Sequence, residues 1–204
     1  MSAPEPVDFY FDFASPYGYF MSEKIEALAQ NHGRTVRWRP ILLFAILRAH
    51  GFAGPMDHPL KRDYMVNDFA RSAALLGVDY RLPAVFPVVT QHAARAFYLL
   101  EKHVPEAAVP FAHSVLRSYL ADGDDISDLD RISGLAEKAS GGFWPAAQIA
   151  GLVRTDDAKA DLQAAIQHAV EQGVFGSPFV IADGEGFFGV DRLPHLEAKL
   201  ARRQ

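Results

Sequence analysis

Residues 7–20, VDFYFDFASPYGYF, decide the fold of this chain. The first seven residues are rich in β-forming side chains and predict a largely buried strand. Ser15 and Pro16 follow, and they are a favoured N-cap and a favoured first helical residue. Apolar residues then recur at helical spacing, which predicts a helix to about Asn31. The stretch therefore indicates a strand that passes directly into a helix N-terminus at Ser15.

Two further regions complete a predicted sheet. Residues 35–39 form a strand pattern at the spacing of a βαβ unit, which favours parallel pairing and a right-handed crossover. Residues 179–182 and 186–188 are short strand patterns on either side of a hairpin turn. We expect Asp191 to cap a last helix after them. The two ends of the chain thus predict the βαβ and ββα halves of one sheet.

The region between these halves has a mainly helical pattern with Pro and Gly between the segments. Helices are expected at residues 41–50, 61–76, 90–102, 106–120, 129–138 and 156–172. Neither a repeat nor a flexible linker interrupts the chain. We therefore predict an α/β fold with a discontinuous domain of residues 1–45 and 156–204, and an inserted helical domain of residues 46–155.

The composition excludes several kinds of chemistry. None of the 204 residues is cysteine, which removes disulfides, thiolate metal sites, cysteine nucleophiles and dithiol redox chemistry. The eight histidines show no metal-ligand spacing, so we expect no metal site. The net charge is −5 and no basic stripe occurs, which argues against a nucleic-acid partner.

The hydropathy pattern bears on the compartment. No apolar run reaches the roughly 18 residues that a membrane span requires. Residues 1–8 lack the basic and apolar blocks of a signal peptide. The expected compartment is therefore the cytoplasm, without a membrane partner.

The segment Ser15-Pro16-Tyr17-Gly18 lies where thioredoxin-like proteins carry a Cys-x-x-Cys motif. A helix N-terminus presents unpaired N–H groups and about half a positive charge, which stabilise a thiolate. Because Ser15 does not ionise near neutral pH, its hydroxyl would donate to the sulfur of a bound thiol and lower the pKa of that thiol. The thiol would then have to come from a ligand. The alternative is that Ser15 is an ordinary N-cap.

A second motif supports the same site from the other end of the chain. Ser177-Pro178 precedes the third strand, where thioredoxin folds carry a cis-proline that faces the active-site helix. Such a proline leaves the preceding backbone free to pair with an extended peptide ligand. A simple proline at the start of a strand is the alternative.

Six motifs then carry a family resemblance over nearly the whole chain. They are FYFDFASPYGY (9–19), WRPILL (38–43), Lys61-x-x-Tyr64-x-x-x-Asp68, FPVVTQHAAR (86–95), GVFGSPF (173–179) and GEGFFGVDRL (184–193). In these the chain resembles the 2-hydroxychromene-2-carboxylate isomerases and their relatives, the kappa-class glutathione transferases and the DsbA-like proteins. The resemblance implies a thioredoxin fold with a large all-helical insertion between the βαβ and ββα halves. It also implies glutathione as cofactor and, since relatives commonly dimerise, a homodimer.

The resemblance implies roles for individual residues that would bind glutathione. Ser15 matches the serine at the glutathione sulfur, and Ser177, before Pro178, matches the backbone contact to the cysteinyl unit. Lys61 matches a lysine near the glycyl carboxylate. The γ-glutamyl end would be held at Val190 and Asp191, with Asp191 pairing with its ammonium group.

Two aromatic residues complete the predicted substrate pocket. Tyr17 lies in the first turn of the helix, beside the expected sulfur position. Phe52 departs from the family, which usually has Asn after the glycine at this point, in contact with glutathione or substrate. A polar contact is therefore missing at position 52.

The chemistry that the resemblance implies is isomerisation by a borrowed nucleophile. The glutathione thiolate would add reversibly to a conjugated ketone and turn its C=C bond into a rotatable single bond. The family interconverts 2-hydroxychromene-2-carboxylate and trans-o-hydroxybenzylidenepyruvate in the breakdown of fused aromatic rings, so a small aromatic substrate is expected. Two alternatives remain: a kappa-type glutathione transferase or peroxidase, and a non-catalytic thioredoxin-fold binding protein.

Overall fold

A four-stranded mixed sheet forms the centre of the computed structural model, which describes residues 5–202. The strands are β1 (Val7–Phe11), β2 (Val36–Pro40), β3 (Phe179–Ala182) and β4 (Glu185–Phe188). They lie in the order β2-β1-β3-β4, with β1 parallel to β2 and antiparallel to β3, and β3 antiparallel to β4. Phe9 pairs with Trp38 on one side and Val180 on the other. The predicted βαβ and ββα halves are therefore confirmed, joined through β1 and β3.

The helices agree with the predicted segments, with one addition. Within residues 5–202 they are α1 (Pro16–Asn31), α2 (Leu43–Ala49), α3 (Pro59–Leu76), α4 (Gln91–His103), α5 (Pro105–Leu120), α6 (Leu129–Ala139), α7 (Ala146–Leu152), α8 (Asp156–Glu171) and α9 (Leu193–Leu200). The sequence did not predict α7, a seven-residue helix in which Ile149 alone is buried, so that it lacks a repeating apolar face. Over the described residues no helix has both the length and the apolar character to cross a bilayer.

Two predicted boundaries were wrong for local reasons. The second helix begins at Leu43 and not at Ile41, because the Ile41 N–H continues the sheet by donating to the Phe11 carbonyl at 2.8 Å. Asp191 does not cap the last helix: it lies in a 3-10 turn, Val190–Arg192, and forms an ion pair with Arg192 at 2.6 Å.

The core is continuous from the sheet into the helical region. Phe9, Phe11 and Trp38 are fully or almost fully buried, and the ring centroids of Phe9 and Phe11 lie 4.9 Å apart. Helix α5 packs against α1, and α4 packs against α8. The division into a domain of residues 1–45 plus 156–204 and an inserted domain of residues 46–155 stays a prediction. Residues 1–4 and 203–204 lie outside the described part of the chain, so half of the segment 1–8 that was searched for a signal peptide lies outside it as well.

Candidate functional site

Ser15 lies where the chain leaves β1 and enters α1. Its backbone is extended, and its Oγ accepts a hydrogen bond from the Gly18 N–H at 3.1 Å, as an N-cap does. The same hydroxyl donates to the carbonyl oxygen of Ser177, also at 3.1 Å. Over residues 5–202 the Tyr17 N–H, in the first turn, has no acceptor. One helix N-terminus therefore offers both a hydroxyl and a free N–H group.

The loop before β3 is held against this helix end. The Ser177–Pro178 peptide bond is cis, which decides between the two alternatives that the motif left open, and the sequence did not predict the second cis bond, Phe86–Pro87. Ser177 Oγ accepts a hydrogen bond from the Asp12 N–H at 2.9 Å. The Ser177 N–H has no acceptor in the described part of the chain. The two predicted motifs, at Ser15 and at Ser177, are thus brought into contact.

Gly18 makes this contact close. A Cβ atom added at Gly18 would lie 3.2 Å from the Ser15 Cβ and 3.2 Å from the Ser177 Oγ, which is tighter than ordinary van der Waals contact. The absence of a side chain at position 18 therefore lets the two serines approach each other.

Asp12 supports the site from beneath the surface, and sequence analysis missed this. Its carboxylate is buried and accepts hydrogen bonds from the Ala14 N–H at 2.9 Å, the Leu43 N–H at 2.7 Å and the Thr90 hydroxyl at 2.9 Å. Burial raises the pKa of Asp12, and these hydrogen bonds oppose that shift. Asp12 thereby fixes the starts of α2 and α4 next to Ser15. The signal in the sequence was an acid between Phe11 and Phe13, directly after a strand of mostly apolar residues.

A cavity of about 630 Å³ adjoins Ser15 and is lined mostly by apolar side chains. Five of the predicted site residues line it: Ser15, Tyr17, Phe52, Lys61 and Ser177. The other three, Pro178, Val190 and Asp191, are not part of its lining. Val190 is buried and Asp191 is exposed in its pair with Arg192. The cavity therefore contains the residues predicted to contact the glutathione sulfur, the glycyl carboxylate and the substrate. It does not contain those predicted to hold the γ-glutamyl end.

Tyr17 is held in place by helix α3. Its hydroxyl donates to Asp68 Oδ2 at 2.6 Å, and its ring lies 5.0 Å from that of Phe69. Burial, together with the Asp68 carboxylate, raises the pKa of Tyr17 well above its ordinary value, so the phenol stays neutral. The motif Lys61-x-x-Tyr64-x-x-x-Asp68 therefore contributes one residue to the cavity wall and one to the orientation of Tyr17.

The charges around the cavity are few. Its charged lining residues are Asp12, Arg48 and Lys61. Neither Arg48 nor Lys61 forms an ion pair with any residue between 5 and 202. In the same range no group of three or more acidic or histidine side chains could hold a metal ion. The site therefore combines an apolar wall, a helix N-terminus and two free cations.

Comparisons with known proteins identify the family of the chain. The family model of the DSBA-like thioredoxin domain matches residues 6–201. A 2-hydroxychromene-2-carboxylate isomerase from Sphingobium xenophagum is 32% identical over 196 residues, 95% of this chain and 97% of that protein. Glutathione S-transferase kappa 2 from Caenorhabditis elegans is 27% identical over 210 residues, 96% of this chain and 91% of that protein.

A solved structure gives the same relationship. A 2-hydroxychromene-2-carboxylate isomerase matches 97% of this chain and 95% of its own with a TM-score of 0.84 at 28% identity. The thioredoxin fold and the family resemblance predicted from the sequence are thereby confirmed. The chain belongs to the DsbA-like thioredoxin-domain family and, within it, to the group of the 2-hydroxychromene-2-carboxylate isomerases.

Proposed function

We propose that this protein is a glutathione-dependent isomerase of an aromatic conjugated keto acid, of the 2-hydroxychromene-2-carboxylate and trans-o-hydroxybenzylidenepyruvate type. The observation that carries the proposal is the contact between Ser15 and Ser177 at a mostly apolar cavity, in a chain without cysteine. A sulfur site that has lost its own thiols needs a thiol from a ligand.

The groups at Ser15 fit a thiolate. The Tyr17 N–H and the partial positive charge of the α1 N-terminus both favour an anion there. The Ser15 hydroxyl would turn from the Ser177 carbonyl to the sulfur. It would give up a neutral hydrogen bond with a net value of about 1 kcal/mol for a charge-assisted one. The protein therefore lowers the pKa of a thiol bound at this position.

Other groups fit the remainder of glutathione. The free N–H of Ser177 is suited to the backbone of the cysteinyl unit, as in the addition of a strand to an exposed edge. Lys61, a cation without an ion pair in the described chain, suits the glycyl carboxylate. Asp191 pairs with Arg192 through Oδ2, so that Oδ1 of the same exposed carboxylate is the atom suited to the γ-glutamyl ammonium group. Val190 would contribute to binding the same γ-glutamyl end of glutathione.

The reaction divides between the ligand and the chain. Glutathione, when bound, supplies a thiolate that adds to the conjugated ketone and leaves again after rotation about the former double bond. Ser15 holds the sulfur, and Asp12 fixes the cavity wall around it. Tyr17 and Phe52 offer aromatic contacts to the substrate, and the apolar lining excludes water. We propose the cytoplasm as the compartment, since thiols are kept reduced there.

The test is the isomerisation of trans-o-hydroxybenzylidenepyruvate with glutathione present at a small fraction of the substrate concentration. Complete conversion with the glutathione recovered unchanged is the expected result. Stoichiometric loss of glutathione with formation of a conjugate would refute the isomerase. Calorimetry of glutathione binding is a separate test, and no binding at millimolar ligand would exclude every glutathione-dependent function.

A kappa-type transferase or peroxidase is the second candidate function. The observation that favours it is the similarity to glutathione S-transferase kappa 2 over most of both chains. By the family resemblance, Phe52 also stands where Asn is usual, in contact with glutathione or substrate. The recovery of glutathione in the same assay separates the two functions. A non-catalytic binding protein is tested by the Ser15 variants described in the Discussion.

A further inference from the structure

Arg48 is a second free cation at the cavity, and the proposed function gives it no role. Of the charged lining residues, Asp12 has its carboxylate occupied by three donors. Lys61 is assigned to glutathione. Arg48 is exposed and forms no ion pair with any residue of the described range. A guanidinium without a partner at a ligand cavity is suited to an anionic ligand.

Helix α2 gives Arg48 a fixed place along the cavity wall. The N-terminal end of α2 is tied to Asp12 through the Leu43 N–H, at 2.7 Å. The residue after α2, His50, lies with its Nε2 2.9 Å from the Val174 carbonyl oxygen. Arg48 follows Leu43 by five residues, which corresponds to about 7.5 Å along the helix axis. Arg48 therefore lies on a helix that is held at both ends. An aromatic ring system can span the distance between Arg48 and the end of α2 that contacts Asp12.

The setting favours an aromatic anion. The net charge of the chain is −5, so the overall field does not attract anions, and local cations decide which charge the cavity prefers. The apolar lining favours a ring system over a small inorganic anion. The negative end of the α2 dipole also accounts for a cation in the last turn, but a dipole effect alone predicts no preference for the charge of a ligand.

We propose that Arg48 binds the carboxylate of the aromatic substrate, while Lys61 serves the glycyl carboxylate of glutathione. The cavity then selects aromatic carboxylates over neutral aromatic compounds of the same shape. The identity of this ligand as substrate rests on the proposed function. The charge preference itself is a property of binding and is measured without turnover.

The experiment compares 2-naphthoate with 2-naphthamide, a neutral compound of similar shape, in the presence of saturating glutathione. Dissociation constants are measured by ligand fluorescence for the wild type and for Arg48→Met, Arg48→Lys and Arg62→Met. Arg62 is the matched control, because it is exposed beside Lys61 but does not line the cavity. The wild type and Arg62→Met should prefer naphthoate by about tenfold. Arg48→Met should show no preference, and Arg48→Lys should retain part of it.

Three outcomes would overturn the proposal. They are equal affinity of the wild type for the two compounds, an unchanged preference in Arg48→Met, and a loss of glutathione affinity in Arg48→Met with the naphthoate preference intact. The last outcome would assign Arg48 to glutathione. A wild type that prefers naphthoate but does not turn over the keto acid would refute the proposed function and leave the carboxylate site standing.

Discussion

The hydroxyl of Ser15 donates a hydrogen bond to the backbone carbonyl of Ser177, 3.1 Å away, although 162 positions separate the two residues. The same oxygen accepts the Gly18 N–H and so caps α1. Ser15 therefore has a structural role that does not depend on any ligand. Its effect on stability and its effect on catalysis are separate properties and are measured separately.

Ser15→Ala tests the sulfur contact against the cap. We expect a loss of about 1–2 kcal/mol in the free energy of unfolding, because the cap and the hydrogen bond to the Ser177 carbonyl are both removed. We also expect at least about a 100-fold loss of isomerase activity, because a donor to the thiolate is removed. Thr155→Ala is the control, since Thr155 caps α8 by accepting the Ala158 N–H and lies outside the cavity lining. Equal losses of stability with full activity in both variants would contradict a catalytic Ser15.

Ser15→Cys introduces the one thiol of the chain at the α1 N-terminus. We expect its pKa to fall below the ordinary value of about 8.5, because the helix end favours the thiolate. The pH dependence of its alkylation by iodoacetamide measures that pKa. Oxidised glutathione should form a mixed disulfide with it, visible by mass spectrometry. Thr155→Cys reports the effect of a helix end away from the cavity. Equal reactivity of the two thiols towards oxidised glutathione, with release of one glutathione thiolate in each case, would count against the binding site.

Tyr17→Phe removes the hydrogen bond to Asp68. We expect a loss of about 1–2 kcal/mol in stability, since the bond is partly buried and its acceptor is charged. Activity should fall by less than about tenfold, because the Tyr17 hydroxyl is already engaged and its raised pKa keeps it neutral. Asp68→Asn keeps an acceptor oxygen for the Tyr17 hydroxyl, so it should lower the melting temperature less than Tyr17→Phe does. A titration in the activity profile below pH 10 that disappears in Tyr17→Phe would refute this interpretation.

Asp12→Asn should be among the more destabilising single changes at the site. An amide offers one acceptor oxygen, and its NH₂ group would face a donor, so that one buried N–H or hydroxyl loses its partner. The expected loss is about 2–3 kcal/mol, measured by urea unfolding. Asp8→Asn is the control, because Asp8 lies on β1, four residues before Asp12, but is partly exposed in its pairs with Arg37 and Arg39. If the free energy of unfolding falls by the same small amount in both variants, Asp12 does not organise the cavity wall.

An ionic cluster between α1 and α5 makes stability depend on pH. The His113 Nε2 lies 3.0 Å from Glu26 Oε2, and Arg117 lies 2.6 Å from Glu23. Burial lowers the pKa of His113, but the neighbouring carboxylates of Glu23 and Glu26 outweigh it and raise that pKa above 6.5. Burial likewise opposes ionisation of Glu23, yet the neighbouring His113 and the hydrogen bonds from Arg117 bring its pKa to about 2.

The His113 contribution should be complete below pH 6.5 and should be lost as the pH rises through the raised pKa. The Glu23 contribution should be complete above pH 4.5 and should be lost as the pH falls towards 2. The melting temperature should therefore be highest between these limits. The difference between wild type and His113→Gln should shrink above pH 6.5. A constant difference from pH 5 to 9 would show that His113 does not titrate with a raised pKa.

The sequence predicted the parts of the site that are local or carried by motifs. Ser15 follows from cap and strand signals in adjacent residues, whereas the motif at Pro178 left a cis-proline and a simple strand-start proline open as alternatives. Asp12 and Arg48 could not be found in this way, because their meaning depends on contacts with Thr90 and with the cavity, far away in the chain. The error at Asp191 has a similar origin: a 3-10 turn and a neighbouring arginine took the place of a cap.

Gly18 occupies the position of the second cysteine in thioredoxin-like proteins, and the crowding found there limits how the chain could evolve. A cysteine at position 15 alone would give a single thiol with no resolving partner. A cysteine at position 18 would in addition press on the Ser177 hydroxyl, which holds the Asp12 backbone. A return to disulfide exchange would thus involve the Ser177 segment as well as the start of α1. The packing at Gly18, and not the composition alone, therefore bears on the recovery of a dithiol in this protein.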